Sequence, residues 1–170
     1  MPPQLYFFAS IAFAFAAWGV LTLRYVWPRL RLLSWTEALR PILILHSFRF
    51  IGLAFLVTGV VSPDLPTGFA HHAAYGDIAA ATLALLSLAM LQSKAGLPIA
   101  WVFNLWGSFD LLSAFYYAGK AGLIPGDLGA AYFIPTLLVP LMLITHALAF
   151  RVLLQHQKQS KNNERLQPAV

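Results

Sequence analysis

Long apolar segments separated by short polar connectors run through almost the whole chain. Of its 170 residues 59% are hydrophobic and 10% are charged, and the mean hydropathy is +0.71. A soluble domain carries about 25% charged residues, and a small one leaves much of its surface in water. Since a membrane-spanning helix needs roughly 20 apolar residues, the chain has room for five spans and short connectors. The sequence predicts an all-α, polytopic membrane protein whose apolar surface is covered by the lipid bilayer.

Five transmembrane helices are predicted, in a single domain over residues 1–154. The first is interpreted as an uncleaved span because no Lys or Arg precedes it, as a signal peptide would require. Ser34 and Glu37, three residues apart, form a capping-box pattern that starts the second helix near Trp35. The basic tail, residues 155–170, is expected to be disordered. The predicted spans cover about residues 5–26, 37–61, 72–91, 97–118 and 133–154.

The distribution of Lys and Arg predicts the orientation, because short cytoplasmic loops carry an excess of both residues. Nine of the eleven basic residues fall in the tail, in the connectors after the first and third spans or at the adjoining ends of the spans, whereas Lys120 falls on the opposite side and Arg49 deep within a span. We expect the N-terminus outside and the C-terminus in the cytoplasm, in the cytoplasmic (inner) membrane of a bacterium. The nine residues are Arg24, Arg29, Arg31, Arg40, Lys94, Arg151, Lys158, Lys161 and Arg165.

Composition also excludes several classes of function. A nucleic-acid-binding protein needs a basic, solvated face, and the chain has none. It has no cysteine, which excludes disulfides, thiol nucleophiles and iron–sulfur clusters. The internal repeat found in many secondary transporters is missing as well.

Six polar residues interrupt the predicted spans, and an ionisable one costs about 2.5–3.5 kcal/mol at the centre of a bilayer. At a rise of about 1.5 Å per residue they form two levels. The level nearer the cytoplasm holds two histidines, an amide and an arginine, and the outer level holds two carboxylates. Carboxylates are the natural partners of a guanidinium, so we expect Arg49 to link the levels by pairing with at least one Asp. The six residues are His46, Arg49, Asp77, Asn104, Asp110 and His146.

One interpretation of these residues is a redox cofactor site. His46 and His146 lie at similar depth on different helices, which is the arrangement that axial ligation of a b-type haem requires. Arg49 and Asn104 would lie beside the cofactor between helices 2 and 5. This interpretation predicts an electron-transfer or haem-linked role, and it is the leading prediction from the sequence.

A second interpretation is proton-coupled transport or a proton relay. Asp77 and Asp110 would accept protons from the outside, and the histidines would pass them inward, since intramembrane Asp, His and Arg commonly form proton paths. Five helices are few for a monomeric transporter, so this interpretation favours a homodimer. A third interpretation is that the polar cluster only holds the helices together.

His71 and His72 suggest a weaker alternative, a metal site at the outer end of the third span. Two histidines close to an Asp can bind a metal ion or sense pH. With Asp77 and Asp110 they would form the metal site of a hydrolytic membrane enzyme, but polar residues at helix ends commonly serve only the interface. No H-E-x-x-H, G-x-S-x-G or P-loop motif supports an enzyme.

Three stretches carry a resemblance to known proteins. They are His46-Ser-Phe-Arg49-Phe-Ile-Gly52, Tyr75-Gly76-Asp77 and Asn104-Leu-Trp-Gly107-Ser-Phe-Asp110-Leu. The chain from His46 to His146 resembles small, uncharacterised, five-helix bacterial integral membrane proteins. The resemblance implies a topology and no particular chemistry.

Overall fold

A computed structural model describes residues 2–166, with side chains to Asn163. Within this part of the chain there are five long helices and no strand, apart from an isolated bridge between Thr58 and Val61. We label the helices α1 to α5. They are α1 (Pro3–Leu30), α2 (Trp35–Leu56), α3 (Thr67–Met90), α4 (Gly96–Lys120) and α5, which joins Ile134–Leu138 to Val139–Leu166; a short 3-10 segment, Pro125–Tyr132, precedes α5.

The capping box predicted for α2 is confirmed. The Ser34 side chain accepts from the Glu37 backbone N–H at 3.3 Å, and the Ser34 backbone N–H donates to Glu37 Oε2 at 3.1 Å. The predicted end near residue 61 is wrong, because α2 tightens to a 3-10 helix over Phe48–Leu56 and stops there. Val57 is extended and Gly59 has a φ of +86°, a backbone conformation that glycine adopts at little cost.

Two helices contain a π-helical turn shortly before a proline. The turns are Thr22–Val26 in α1 and Ile134–Leu138 in α5, and they precede Pro28 and Pro140. A proline inside a helix lacks an N–H, and its ring clashes with the carbonyl of the residue four positions earlier. A wider turn before the proline relieves that clash. Both helices therefore stay continuous beyond the proline.

Two other boundaries differ from the prediction. Helix α3 begins at Thr67, directly after Pro66, so His71 and His72 lie in its first turns and not ahead of it. The tail, predicted to be disordered, continues α5 as far as Leu166, and residues 167–170 lie outside the described part.

Contacts with α1 and α2 hold α5 where the tail begins. The Arg151 guanidinium lies 4.0 Å from the centre of the Trp27 ring, and His156 stacks on Trp35 at 5.0 Å. Cation–π and stacking contacts of this kind stabilise the helical turns that carry them. A sequence-based estimate of disorder misses such contacts because they depend on the tertiary structure.

Helices α2, α3, α4 and α5 form the bundle, and α1 packs against α5. The buried face of α3 consists mainly of alanines, which let the neighbouring backbones approach closely. One apolar cluster fills the end of the bundle near the α3–α4 loop (residues 91–95), and a second fills the end near the α2–α3 loop (residues 57–66). The buried polar residues lie between the two clusters. The buried alanines of α3 are Ala70, Ala73, Ala74, Ala80, Ala81 and Ala84.

Four helices of the described chain are long and apolar enough to cross a membrane: α1, α2, α3 and α5. Helix α4 is as long as α3, but it is not among the four. Its middle carries Asn104, Ser108 and Asp110, which lower its mean hydropathy. Because α4 packs between α3 and α5, these polar residues are covered by protein.

Candidate functional site

The guanidinium group of Arg49 is the centre of a buried polar site between α2, α3 and α4. Its Nε donates to Asp77 Oδ1 at 2.7 Å, and its Nη2 lies 2.7 Å from the same oxygen and 2.5 Å from Asp110 Oδ2. Its Nη1 donates to the Gly107 carbonyl at 3.2 Å. Only 2% of Arg49, 8% of Asp77 and 4% of Asp110 is exposed. One cation therefore serves two carboxylates, and with both ionised the three groups carry one excess negative charge.

The 3-10 conformation of α2 explains how Arg49 reaches this position. Side chains three residues apart eclipse each other in a 3-10 helix, and the buried residues of this segment are Arg49, Gly52 and Phe55. His46, three residues before Arg49, is fully buried at the end of the preceding α-helical part. The tightened turn thus aligns a histidine, an arginine and a glycine along one face of α2.

Two glycines make room for the carboxylates. A Cβ added to Gly52 would collide with the Asp77 side chain, and one added to Gly76 would collide with the Asp110 side chain. Each carboxylate therefore packs directly against the backbone of the helix before its own. Asp77 Oδ1 and Asp110 Oδ2 bind Arg49, while Asp77 Oδ2 and Asp110 Oδ1, next to the glycines, accept no hydrogen bond from any described side chain.

A third glycine makes room for a histidine. A Cβ on Gly107 would lie 2.6 Å from His146 Nε2 and 3.0 Å from Arg49 Nη1. His146 and the Arg49 guanidinium therefore both pack against the α4 backbone at Gly107. This shared contact joins the histidines to the ion pair. We call Gly52, Gly76 and Gly107 the glycine sockets.

His46 and His146 contact each other next to the ion pair, on the side of the α3–α4 loop. Their ring centroids are 4.2 Å apart. His146 Nδ1 lies 2.7 Å from Asn104 Oδ1, an acceptor, so this nitrogen carries the proton. His46 Nε2 lies 2.9 Å from Thr145 Oγ1, which donates to the carbonyls of Leu141 and Met142 and so accepts from the histidine.

Both histidines consequently keep a second ring nitrogen with a free lone pair. These atoms, His46 Nδ1 and His146 Nε2, are buried and have no hydrogen-bond partner in the described chain. Few buried polar atoms of native proteins lack a partner. The Asn104 Nδ2 amide, in contact with the same pair, also has no partner, so three unpartnered polar atoms lie together here.

This geometry does not fit a haem held between the two histidines. A metal–imidazole bond measures roughly 2 Å, so two bonds to one iron would separate the ligating nitrogens by about 4 Å and the ring centres by more. The observed rings are 4.2 Å apart at their centres, and Phe103 packs against both of them. No space for a macrocycle separates His46 from His146.

The predicted metal ligands His71 and His72 lie outside the Arg49 site. His72 Nε2 is 2.8 Å from Ser113 Oγ, and His71 packs on Tyr75 with ring centroids 5.7 Å apart. No group of three His, Asp or Glu residues that could hold a metal ion occurs among the residues that the structure describes. The described residues therefore supply no third ligand for the metal site predicted at His71 and His72.

The ion pair is reached by a cleft between α3 and α4. This cleft of about 310 Å³, lined by His71 and His72, reaches Gly76, Asp110 and Ser113. An apolar layer separates the histidine pair from the α3–α4 loop. The fully buried members of this layer include Leu39, Leu43, Leu91, Phe103, Ala149 and Leu153.

Two further cavities reach the ion pair. The larger, of about 210 Å³, has Asp77 and Asp110 in a lining that is otherwise apolar. The smaller, of about 180 Å³, is lined by Arg49 and Asp77 among apolar residues of α2, α4 and α5.

Comparison with known proteins identifies a family. Residues 6–154 match the family described as domain of unknown function DUF8737. The chain belongs to the DUF8737 family. The matched residues run from α1 to α5 and include every residue of the Arg49 site. No curated protein and no solved structure matches the chain.

Several residues of this DUF8737 site could not be picked out from the sequence. Thr145 and Ser113 each bind a histidine, but serines and threonines are common in membrane helices and bear no distinctive spacing. Gly76 carries a signal, since it directly precedes Asp77 in a helix otherwise rich in alanine. Its function as a socket for Asp110 nevertheless depends on a different helix.

Proposed function

We propose that this DUF8737 protein moves protons across the membrane, as a proton relay or as the proton-binding part of a coupled transporter. In this proposal α4 is the fifth span, and the end with the α2–α3 loop faces outward. Protons reach Asp110 through the cleft beside His72. They continue past Arg49 to His146 and His46, whose free lone pairs receive them.

The observation that carries the proposal is the buried cluster of Arg49, two carboxylates and two histidines with free nitrogens. Ionisable residues inside a membrane are costly and typically mark ion or proton paths. A purely structural ion pair needs one carboxylate for one guanidinium. Here the second carboxylate leaves an excess negative charge beside two neutral bases. This excess charge favours a function in proton binding over a purely structural function.

The apolar layer near the α3–α4 loop supports a gated path rather than an open pore. Protons that reach the histidine pair meet Leu43 and Phe103, which offer no polar group. The path must therefore open by a movement of the helices. The π-helical turn and Pro140 give α5 a weakened backbone about two helical turns before His146, and such turns are frequent at functional sites.

Proton flux into liposomes tests the proposal. The purified protein is reconstituted into liposomes that contain a pH-sensitive dye, and a potassium diffusion potential drives protons inward. We expect a flux well above that of empty liposomes, and a decrease of at least tenfold for Asp110→Asn. This substitution keeps the size of the side chain and removes its ionisation.

Asp64→Asn is the matched control, because Asp64 is an exposed carboxylate in the α2–α3 loop, and it should leave the flux unchanged. Wild-type liposomes that are no faster than empty ones would contradict the proposal. So would an Asp110→Asn variant that conducts like the wild type, and the structural interpretation of the cluster would then be preferred.

A further inference from the structure

The larger cavity next to the ion pair has a lining that combines hydrocarbon with negative charge. Its volume is about 210 Å³, compared with about 150 Å³ for a dry protein cavity that takes up benzene. Its only charged lining residues are Asp77 and Asp110, and Arg49 is not part of the lining. A ligand in this cavity therefore meets the carboxylates and not the guanidinium. Aromatic lining residues from four helices include Phe7, Phe55, Phe69 and Phe115.

Each of the two aspartates keeps one carboxylate oxygen that Arg49 does not use. Arg49 occupies Asp77 Oδ1 and Asp110 Oδ2, and the second oxygen of each carboxylate accepts no hydrogen bond from a described side chain. Both residues are more than nine-tenths buried. Neither free oxygen is among the fully buried atoms without a partner, and a cationic donor that reaches it would form a charge-assisted hydrogen bond.

We infer that this cavity binds a small lipophilic ammonium ion, that is, a primary amine on an aromatic or short branched hydrocarbon body. The ammonium group would donate to the free carboxylate oxygens and neutralise the excess charge of the site. The hydrocarbon body would lie among the phenylalanines, whose ring faces attract cations as well. A headgroup with a phosphate does not match this lining, because the lining offers its oxygens no donor.

The inference deepens the proposed function, and it rests on that function where the bound amine is taken to be the transported species. An ammonium ion and a proton would compete for the same carboxylates. An amine that binds while Asp110 is protonated would displace that proton, whereas an amine that binds while both carboxylates are ionised would release none. Binding itself can be measured independently of any flux.

Calorimetric titration of the purified protein in detergent tests the inference with two probes of equal shape. Benzylammonium carries the charge, and benzyl alcohol is its neutral counterpart. We expect benzylammonium to bind at least tenfold more tightly than benzyl alcohol. Asp110→Asn should abolish most of this preference, whereas the exposed Asp64→Asn should retain it.

Filling the cavity provides a test that leaves the ion pair untouched. Ala114 lines the cavity on α4, and Ala114→Phe should reduce benzylammonium binding by at least tenfold. Ala89→Phe makes the same change at an exposed position of α3 and should bind like the wild type. A thermal unfolding transition measured for each variant shows that it is folded.

The outcomes separate this inference from the proposed function. Equal affinity for the two probes, or full binding by a folded Ala114→Phe variant, overturns the inference. If wild-type protein conducts protons but does not bind benzylammonium, the inference is wrong and the proposed function stands. If it binds benzylammonium with the expected preference but does not conduct protons, the binding site stands and the proposed function is wrong.

Discussion

Arg49 is the residue on which the polar site depends. It is the only described cation that contacts Asp77 and Asp110, and it also binds the Gly107 carbonyl. Removing one partner of a buried ion pair is more harmful than never having the pair, because an uncompensated charge stays in a medium of low dielectric constant. Loss of Arg49 would leave two buried carboxylates, Asp77 and Asp110, without their cationic partner.

We predict that Arg49→Gln destabilises the protein by about 3–5 kcal/mol, the range measured when a buried charge loses its partner. Thermal unfolding in detergent should show a clear decrease in the melting temperature. Arg40→Gln is the control, since Arg40 is exposed at the start of α2, and it should change stability little. Adding Asp77→Asn and Asp110→Asn to Arg49→Gln should restore part of the lost stability, since both unpaired charges disappear. An Arg49→Gln variant as stable as the wild type would contradict a central role for this side chain.

The helices fit together through side chains that enter gaps in the neighbouring backbone. Each glycine socket lies on one helix and receives an ionisable side chain from the helix that follows. Van der Waals packing between small residues is the main force that associates helices in lipid. In this bundle the same positions hold the polar site, so packing and chemistry depend on the same few residues.

A pair of Gly→Ala substitutions on α3 measures the effect of a socket. Gly76→Ala would drive a methyl group into the Asp110 carboxylate, whereas a Cβ on Gly68 meets nothing within 4 Å. Overpacking costs about 1–3 kcal/mol, and an unstrained Gly→Ala change in a helix gains about 0.5–1 kcal/mol. We predict a lower melting temperature for Gly76→Ala and an equal or higher one for Gly68→Ala. Equal effects of the two substitutions would show that Gly76 is no socket.

The sequence predicts the helices better than it predicts where they end and how they contact one another. The start of α2 followed from Ser34 and Glu37, because a capping box is local. The pairing of Arg49 with aspartates followed from the cost of a lone charge in lipid. The 3-10 end of α2 and the sockets depend on contacts between helices, which periodicity does not report. The helical tail depends on Trp35, more than 100 residues away from His156 in the chain.

At the scale of the whole molecule, the charge distribution and the bundle imply a defined placement in the membrane. Asp77 lies ten residues from the start of α3, and Asp110 lies ten residues from the end of α4. At about 1.5 Å per residue both are about 15 Å deep, which is half of a hydrocarbon core of roughly 30 Å. The ion pair would therefore lie near the midplane if α4 spans the membrane like its neighbours.

The absence of cysteine from the chain makes this placement simple to test. Asp64→Cys, Lys94→Cys and Lys120→Cys each put a single thiol at an exposed position, beyond the end of α2, beyond the end of α3 and at the last residue of α4. In intact cells a membrane-impermeant maleimide should label the variants at 64 and 120 at least tenfold more than the variant at 94. Labelling of the variant at 94 should require detergent. Equal labelling at 94 and 120 would show that α4 does not cross the membrane. Preferential labelling at 94 would show that the orientation is the reverse of the one predicted.

The glycine sockets also limit how the bundle can change shape. A helix residue turns through about 100° from its neighbour, so advancing one helix by a single residue would set Ile78, Leu111 or Ala147 where Asp77, Asp110 or His146 now fits. Such a shift exchanges an ionisable side chain for a hydrocarbon one against the glycine and breaks the polar contacts of the site. We therefore expect any conformational cycle of this protein to separate an ionisable side chain from its socket, as when His146 leaves Gly107.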